Sequence, residues 1–340
     1  MDLGRNCQFY EWAKVMRRAL TVGVDDYAKA PLSGCVKDAA AIEGLLSKHE
    51  DGSPNFDCML VTAPSGQVTR KSLKKQVEEL FQHEADVALF YFSGHGTANN
   101  LGGYLVTQDA ERYDEGVPMQ DVLTFANNAK KIREVVILLD CCHSGAFGQV
   151  PAIGNDAAML REGLAVLTAS RSDQLALEEN GGGIFTGLVG AALSGGASDV
   201  LGKVTIASIY AYVDQMLGAW GQRPLFKSHV SKLISLRNCG PSVPLPELRL
   251  LPKYFPKRDH DFTLDPSFER YKNDPAYAHE KCASNPANEM IFHHLQKFRA
   301  ARLLVPVGEE HMYYAAMNRK SCRLTRLGQF YWQLANEGKI

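Results

Sequence analysis

The sequence predicts an α/β protein: a mostly parallel six-stranded sheet with helices on both faces, followed by a small α+β module. Two observations carry this. Short apolar segments rich in β-branched residues alternate with amphipathic segments of helical period, the pattern of strands buried on both faces. The composition then changes at a run of prolines (Pro241, Pro244, Pro246, Pro252 and Pro256), beyond which a second, shorter set of elements begins. With 340 residues, 45% hydrophobic and 22% charged, the chain has material for one large core and one smaller one.

In chain order, the first strand is expected over Ala19–Val24 and a helix over Ala39–His49. A strand at Cys58–Thr62 and a helix at Lys71–Gln82 follow. Val87–Ser93 is a nearly unbroken apolar strand, Met119–Asn128 a helix, and Val135–Asp140 a second unbroken strand. Gly163–Ser170 reads as the next strand, Phe185–Leu193 and Thr205–Leu217 as helices, and Val230–Leu236 as the last strand. The domain boundaries this implies are an N-terminal extension over 1–15, a main domain over 16–238, an extended linker over 239–285 and a module over 286–340. Within the module, Pro286–Ala301 reads as a helix. Leu303–Val307 and Met312–Ala316 read as a hairpin around Gly308-Glu309-Glu310, and Leu324–Asn336 as a closing helix.

Several classes of function are disfavoured. A net charge of −1 provides no whole-chain field toward nucleic acid or anionic membrane. Apolar runs such as Val87–Phe92 fall well short of the roughly 20 residues a membrane helix needs. Met1–Ala13 holds Asp2, Arg5, Glu11 and Trp12 with no apolar stretch, so no secretory signal is expected and the cytoplasm is the expected location. The eight cysteines form no CxxC pair and no small-domain disulfide framework, and free thiols are expected. Walker A, paired-glycine dinucleotide and HExxH motifs are absent, and Gly181-Gly182-Gly183 lacks the lysine and helix start of a phosphate loop.

Functional residues of an open α/β sheet gather at the carboxyl ends of its strands. Two strand ends carry unusual text. Val87–Phe92 runs into Ser93-Gly94-His95-Gly96, and Val135–Leu139 runs into Asp140-Cys141-Cys142-His143-Ser144-Gly145. A His and a Cys on one sheet edge can meet. The imidazole can then deprotonate the thiol, and the thiolate is the competent nucleophile. Backbone N–H groups near Gly96 and Cys142 could cradle a developing oxyanion. Taken alone, a His beside Gly is usually a turn residue and a strand-end Cys usually a buried filler. Their joint placement, 47 positions apart, is what points to catalysis.

These motifs resemble the caspase-like clan of cysteine peptidases, specifically the metacaspases and their bacterial relatives. Three stretches carry the resemblance in order: Leu32-Ser33-Gly34-Cys35-Val36-Lys37-Asp38-Ala39, Ser93-Gly94-His95-Gly96, and Asp140 to Gly145. Thr168-Ala169-Ser170-Arg171 and Gly183-Ile184-Phe185-Thr186 look like the family's smaller half, and the resemblance spans about residues 16 to 238. It implies a caspase-like fold and a Cys-His dyad with His95 as base. The nucleophile stands immediately before His-Ser-Gly, which is Cys142, leaving Cys141 as filler against the sheet. An effector role in a bacterial stress or defence pathway is also only what the resemblance implies.

The same resemblance places Cys35, Asp38, Ser93 and Asp140 in the first substrate pocket. Caspases proper have an arginine where this chain has Leu32, and they lack an acid at the position of Asp140. Carboxylates at a pocket base favour guanidinium or ammonium and repel a substrate acid. Cleavage after Arg or Lys of protein substrates is therefore expected, without a cofactor or metal. Calcium is possible in the family. Asp109, Asp114 and Glu115 could supply oxygens, but no carboxylate follows Gly145 as far as Val150. The segment from Gln149 to Gly163 is a candidate for self-cleavage after Arg161.

From Pro286 onward eight basic residues face four acidic ones, and helix, hairpin, helix is the order of the latter part of a winged helix. Docking of a sensor or regulatory protein is expected there. So small an excess does not imply nucleic acid. An inactive caspase-fold scaffold and a DNA-binding regulator are the alternatives.

Overall fold

A computed structural model describes residues 16–62, 67–141, 159–169, 178–179, 182–218 and 224–340. The N-terminal extension, 1–15, lies outside these. The chain forms two compact units: residues up to 198 with 204–239, and 199–203 with 240–340.

The first unit begins with β1 (Arg17–Gly23), α1 (Cys35–Ser47), β2 (Asp57–Thr62), α2 (Arg70–Gln82) and β3 (Ala85–Ser93). The chain then makes a small antiparallel sheet of β4 (Gly96–Asn99), β5 (Gly102–Glu111) and β6 (Asp114–Pro118), which the sequence reading did not anticipate. α3 (Met119–Asn128), β7 (Ile132–Asp140) and β8 (Leu164–Thr168) follow. Two short strands, β9 (Glu178–Glu179) and β10 (Gly182–Gly183), lead into α4 (Ile184–Ala191). β11 (Lys203–Thr205), α5 (Ile206–Leu217), β12 (Leu225–His229) and β13 (Ser235–Asn238) complete it.

The central sheet has six strands in the order β12-β8-β7-β3-β1-β2. All pairs are parallel except β12 with β8. This is the expected caspase-like architecture, and the apolar strand text is its cause. β3, β7 and β8 are buried along almost their whole length, because helices cover both faces. Alternation sends Phe90, Phe92, Ile137 and Leu139 to a core shared with α2 and α3. It sends Leu89, Tyr91, Val136 and Leu138 to a core shared with α1, α4 and α5. Capping boxes start α2 (Thr69 with Ser72) and α5 (Thr205 with Ser208).

The sixth strand differs from the expectation. The edge strand is Leu225–His229, antiparallel, and residues 235–238 form a separate short strand paired with β11. Phe226 is only partly buried and Ser228 and His229 are exposed. An edge strand of this kind needs no continuous apolar run, so the more apolar segment downstream misled the reading.

The second unit contains α6 (Leu245–Leu248), α7 (Leu251–Tyr254), β14 (Asp261–Thr263), α8 (Pro286–Ala300), β15 (Leu304–Val307), α9 (Met312–Met317), β16 (Ser321–Leu324) and α10 (Arg326–Asn336). β14, β16 and β15 form one antiparallel sheet. The proline-rich stretch expected to be a linker is packed instead. Val243, Leu248, Leu251, Phe255, Leu264 and Phe268 are buried with Phe298 and Leu303 of the module in a single core. Met312–Ala316 is helix, not strand. Burial of Met312, Ala315 and Ala316 follows the three-and-four spacing of a helix, and the strand that pairs with β15 is Ser321–Leu324. The expected hairpin is thus interrupted by a helix, so the run of elements departs from the winged-helix order that was anticipated. No helix among the described residues is long and apolar enough to cross a membrane.

Candidate active site

Ser93 and Asp140 are register partners at the carboxyl ends of β3 and β7, and the Gly94 N–H donates to the Asp140 carbonyl at 3.3 Å. The two unusual stretches of sequence are therefore adjacent. His95, half-buried, follows directly.

The loop after β1 holds the His95 ring. Its Nε2 lies 2.7 Å from the Ala30 carbonyl oxygen. A carbonyl only accepts, so Nε2 carries the proton and Nδ1 of the neutral ring is the acceptor. Tyr27 packs its ring 4.6 Å from the imidazole, accepts the His95 backbone N–H at 3.0 Å and donates to the Val106 carbonyl at 3.2 Å. Burial raises the Tyr27 phenol far above its ordinary value, keeping the hydroxyl a donor. Gly94 is required here, since a Cβ would run into the Tyr27 hydroxyl and the Phe92 ring. The same loop starts α1. Asp25 accepts the Cys35 and Val36 N–H groups at 2.8 and 3.2 Å, a cap supplied from ten residues upstream.

The predicted pocket residues gather on the α1–α4 side of the sheet edge. Cys35, Asp38, Ser93 and Asp140 are all buried. Asp38 accepts the Gly183 N–H at 2.9 Å. Asp140 accepts the Thr186 hydroxyl at 2.5 Å and the Thr186 N–H at 3.3 Å, both on Oδ2. A Cβ at Gly183 would collide with Asp140 Oδ2 and press on Asp38 Oδ2, so both carboxylates converge on this glycine. Burial raises the Cys35 thiol well above its ordinary value. A hydrogen bond with Ser93 acts the other way, and Asp25 and Asp140 add to the rise. The Cys35 thiol is thus held neutral, which does not suit it to act as a nucleophile.

Cys142 lies outside the described residues. Cys141 is sealed into the core on the α2–α3 side, where no peptide can reach it. Gly96 opens β4 opposite Leu105.

Arg161, the self-cleavage candidate, is held by its own chain. Its Nε, Nη1 and Nη2 donate to the carbonyls of Ala126, Glu162 and Ile132 at 3.0, 2.7 and 2.9 Å, and its N–H donates to Asn127. Entering a peptidase pocket would require the three side-chain bonds, which brace the chain ahead of β8, to open. The three residues weighed for calcium have other partners. Asp109 accepts from Thr107 and the Arg70 N–H, Asp114 pairs with the Arg70 guanidinium, and Glu115 accepts from Asn99. Among the described residues no group of three or more His, Cys, Asp or Glu could hold a metal ion.

Sequence reading missed Ala30, Tyr27 and Asp25. A backbone carbonyl has no residue signature, and a cap ten positions away escapes the local capping rule. Thr186 and Gly183 lay within recognised text without an assigned role.

A family model of the caspase domain matches residues 16–234. Inactive metacaspase-4 of Trypanosoma brucei brucei is 29% identical over 155 residues, 39% of this chain and 42% of that protein. Metacaspase-3 of Trypanosoma cruzi (strain CL Brener) is 26% identical over 167 residues, 44% of this chain and 46% of that protein. The chain spans less than half the length of these curated relatives. Among solved structures, caspase-1 from Spodoptera frugiperda aligns with a TM-score of 0.48 at 12% identity, over 70% of this chain and 98% of that one.

Proposed function

The chain belongs to the caspase-domain family, and on that premise we propose that it is a cysteine endopeptidase that cuts protein substrates after Arg or Lys, with Cys142 as nucleophile and His95 as base. The observation that carries this reading is the convergence of Asp38 and Asp140 on Gly183, beside a histidine whose proton sits on Nε2.

In this mechanism the substrate guanidinium or ammonium enters between the carboxylates, with Cys35 and Ser93 as walls. A cation there offsets the cost of holding two buried acids close together. His95 Nδ1 takes the Cys142 proton, and the thiolate attacks the scissile carbonyl carbon. Backbone N–H groups near Gly96 and Cys142 receive the oxyanion. His95 returns the proton to the leaving amine, then takes one from the water that attacks the thioester; the acid product leaves as the Cys142 sulfur is expelled and recovers that proton. The second unit is a docking surface for a regulatory protein in this reading.

Fluorogenic peptides ending in Arg, Lys or Asp, given to the unmodified chain beside Cys142→Ala, test it. Turnover of the Arg and Lys peptides alone is expected, and efficient cleavage after Asp would overturn it. One relative is named inactive, which favours a scaffold as the second reading. That reading requires the unmodified chain to turn over none of these peptides.

A further inference from the structure

Within the α1–α4 core, two hydroxyls are buried side by side. Tyr91 is fully buried and Thr186 nearly so. Their oxygens are 2.6 Å apart, and either could donate on distance alone. The next bond settles the direction. Thr186 has one hydroxyl proton, and an ionised carboxylate only accepts, so that proton goes to Asp140 Oδ2. Thr186 Oγ1 must then accept, and Tyr91 donates. Burial holds the Tyr91 phenol far above its ordinary value, consistent with a permanent donor.

The apolar packing does not itself call for a phenol; besides Thr186, the Tyr91 hydroxyl meets the side chain of Ser93, another residue of the predicted pocket. Neighbours on that face include Leu89, Leu138 and Phe185, and a phenylalanine would fill the same volume. A buried hydroxyl costs stability unless it is bonded, so the pair is explained by where its chain of bonds ends. Asp38 accepts the Gly183 N–H, three residues before Thr186.

We propose that Tyr91 and Thr186 are positioning residues for recognition of the basic substrate side chain: the relay from Tyr91 through Thr186 to Asp140 fixes the plane and rotamer of that carboxylate in the pocket. This rests on the reading of the pocket as one for Arg or Lys. In a low-dielectric setting each bond of such a relay polarises the next, so removing the first weakens the second.

The test uses the full chain with peptides ending in Arg and in citrulline, its neutral isostere. Thr186→Val removes the donor at constant shape. KM for the Arg peptide is expected to rise about tenfold or more, the scale of a lost hydrogen bond to a buried charge, with kcat little changed and the preference for Arg over citrulline reduced. Thr186→Ser should restore KM to within about threefold, and Tyr91→Phe should shift it the same way by less. If Thr186→Val misfolds by circular dichroism, Thr186→Ala with the Ser rescue gives the same reading. The proposal is overturned if Thr186→Val leaves KM and the Arg preference intact, if both peptides lose equally, or if Ser fails to rescue. An unmodified chain that does not prefer Arg to citrulline overturns the pocket reading itself, together with this proposal. That failure shows before any variant is made.

Discussion

His95 works, in this reading, because its tautomer is fixed before any substrate arrives. Cys142→Ala and His95→Ala are each expected to abolish peptide turnover while leaving the thermal transition in place. Cys141→Ala should keep most turnover and lose about 1 kcal/mol of stability, the usual size of a small core truncation. A dead Cys141→Ala with an active Cys142→Ala would reverse the assignment. Gly183→Ala tests the pocket directly. The added methyl meets both carboxylates, so turnover of Arg peptides should fall by at least about tenfold, while iodoacetamide still alkylates Cys142 at the unmodified rate. Loss of alkylation as well would show that the change reached the dyad. At this scale the sequence singled out side chains that the structure brings to one sheet edge, His95, Asp38 and Asp140. It was silent where a peptide group makes the contact, as at Ala30, or where the partner sits 46 residues away, as Thr186 does from Asp140.

Among the elements, α1 depends most on something outside itself. Its N-cap residue, Gly34, makes no side-chain cap, and Asp25 takes the first two N–H groups. Asp25→Ala is expected to cost about 1 kcal/mol, within the range for lost caps. It should also lower kcat, because the loop it anchors carries Tyr27 and Ala30. Denaturant melts and steady-state kinetics together check this, and a stability loss with unchanged kcat would confine Asp25 to a capping role. The long buried strands β3 and β7 were readable because both faces are covered and the apolar text is continuous. β12 and α9 were not. An edge strand shows weak alternation, and Met312–Met317 is too short for its period to stand out against a strand pattern.

For the whole molecule, prolines were a poor guide to where folding stops. Several of them stand in the first turn of a helix, as in the short α6 and α7 and the longer α8, where a missing N–H costs nothing. The stretch between the two expected domains therefore belongs to the second core. That unit should soften in mild acid. His294 shares a hydrogen bond of 2.8 Å with the Tyr254 hydroxyl, and burial, followed by the charges of His293 and Lys297, lowers its pKa below the ordinary 6.5, with Glu247 opposing. Between the two values the unfolded chain binds more protons, so stability rises with pH there, is complete above about 6.5, and is lost as pH falls through the lowered value. Melts of the unmodified chain and His294→Gln between pH 5 and 8, followed by a second-unit probe such as Trp332, should show a smaller acid loss in the variant. An equal loss would assign the effect elsewhere. A different constraint follows from the loop between β1 and α1. One short segment both sets the start of the helix that carries Asp38 and clasps the imidazole. In the peptidase reading proposed above, any change to that helix made to alter the pocket will therefore disturb the histidine as well, and selectivity and rate will be hard to vary one at a time.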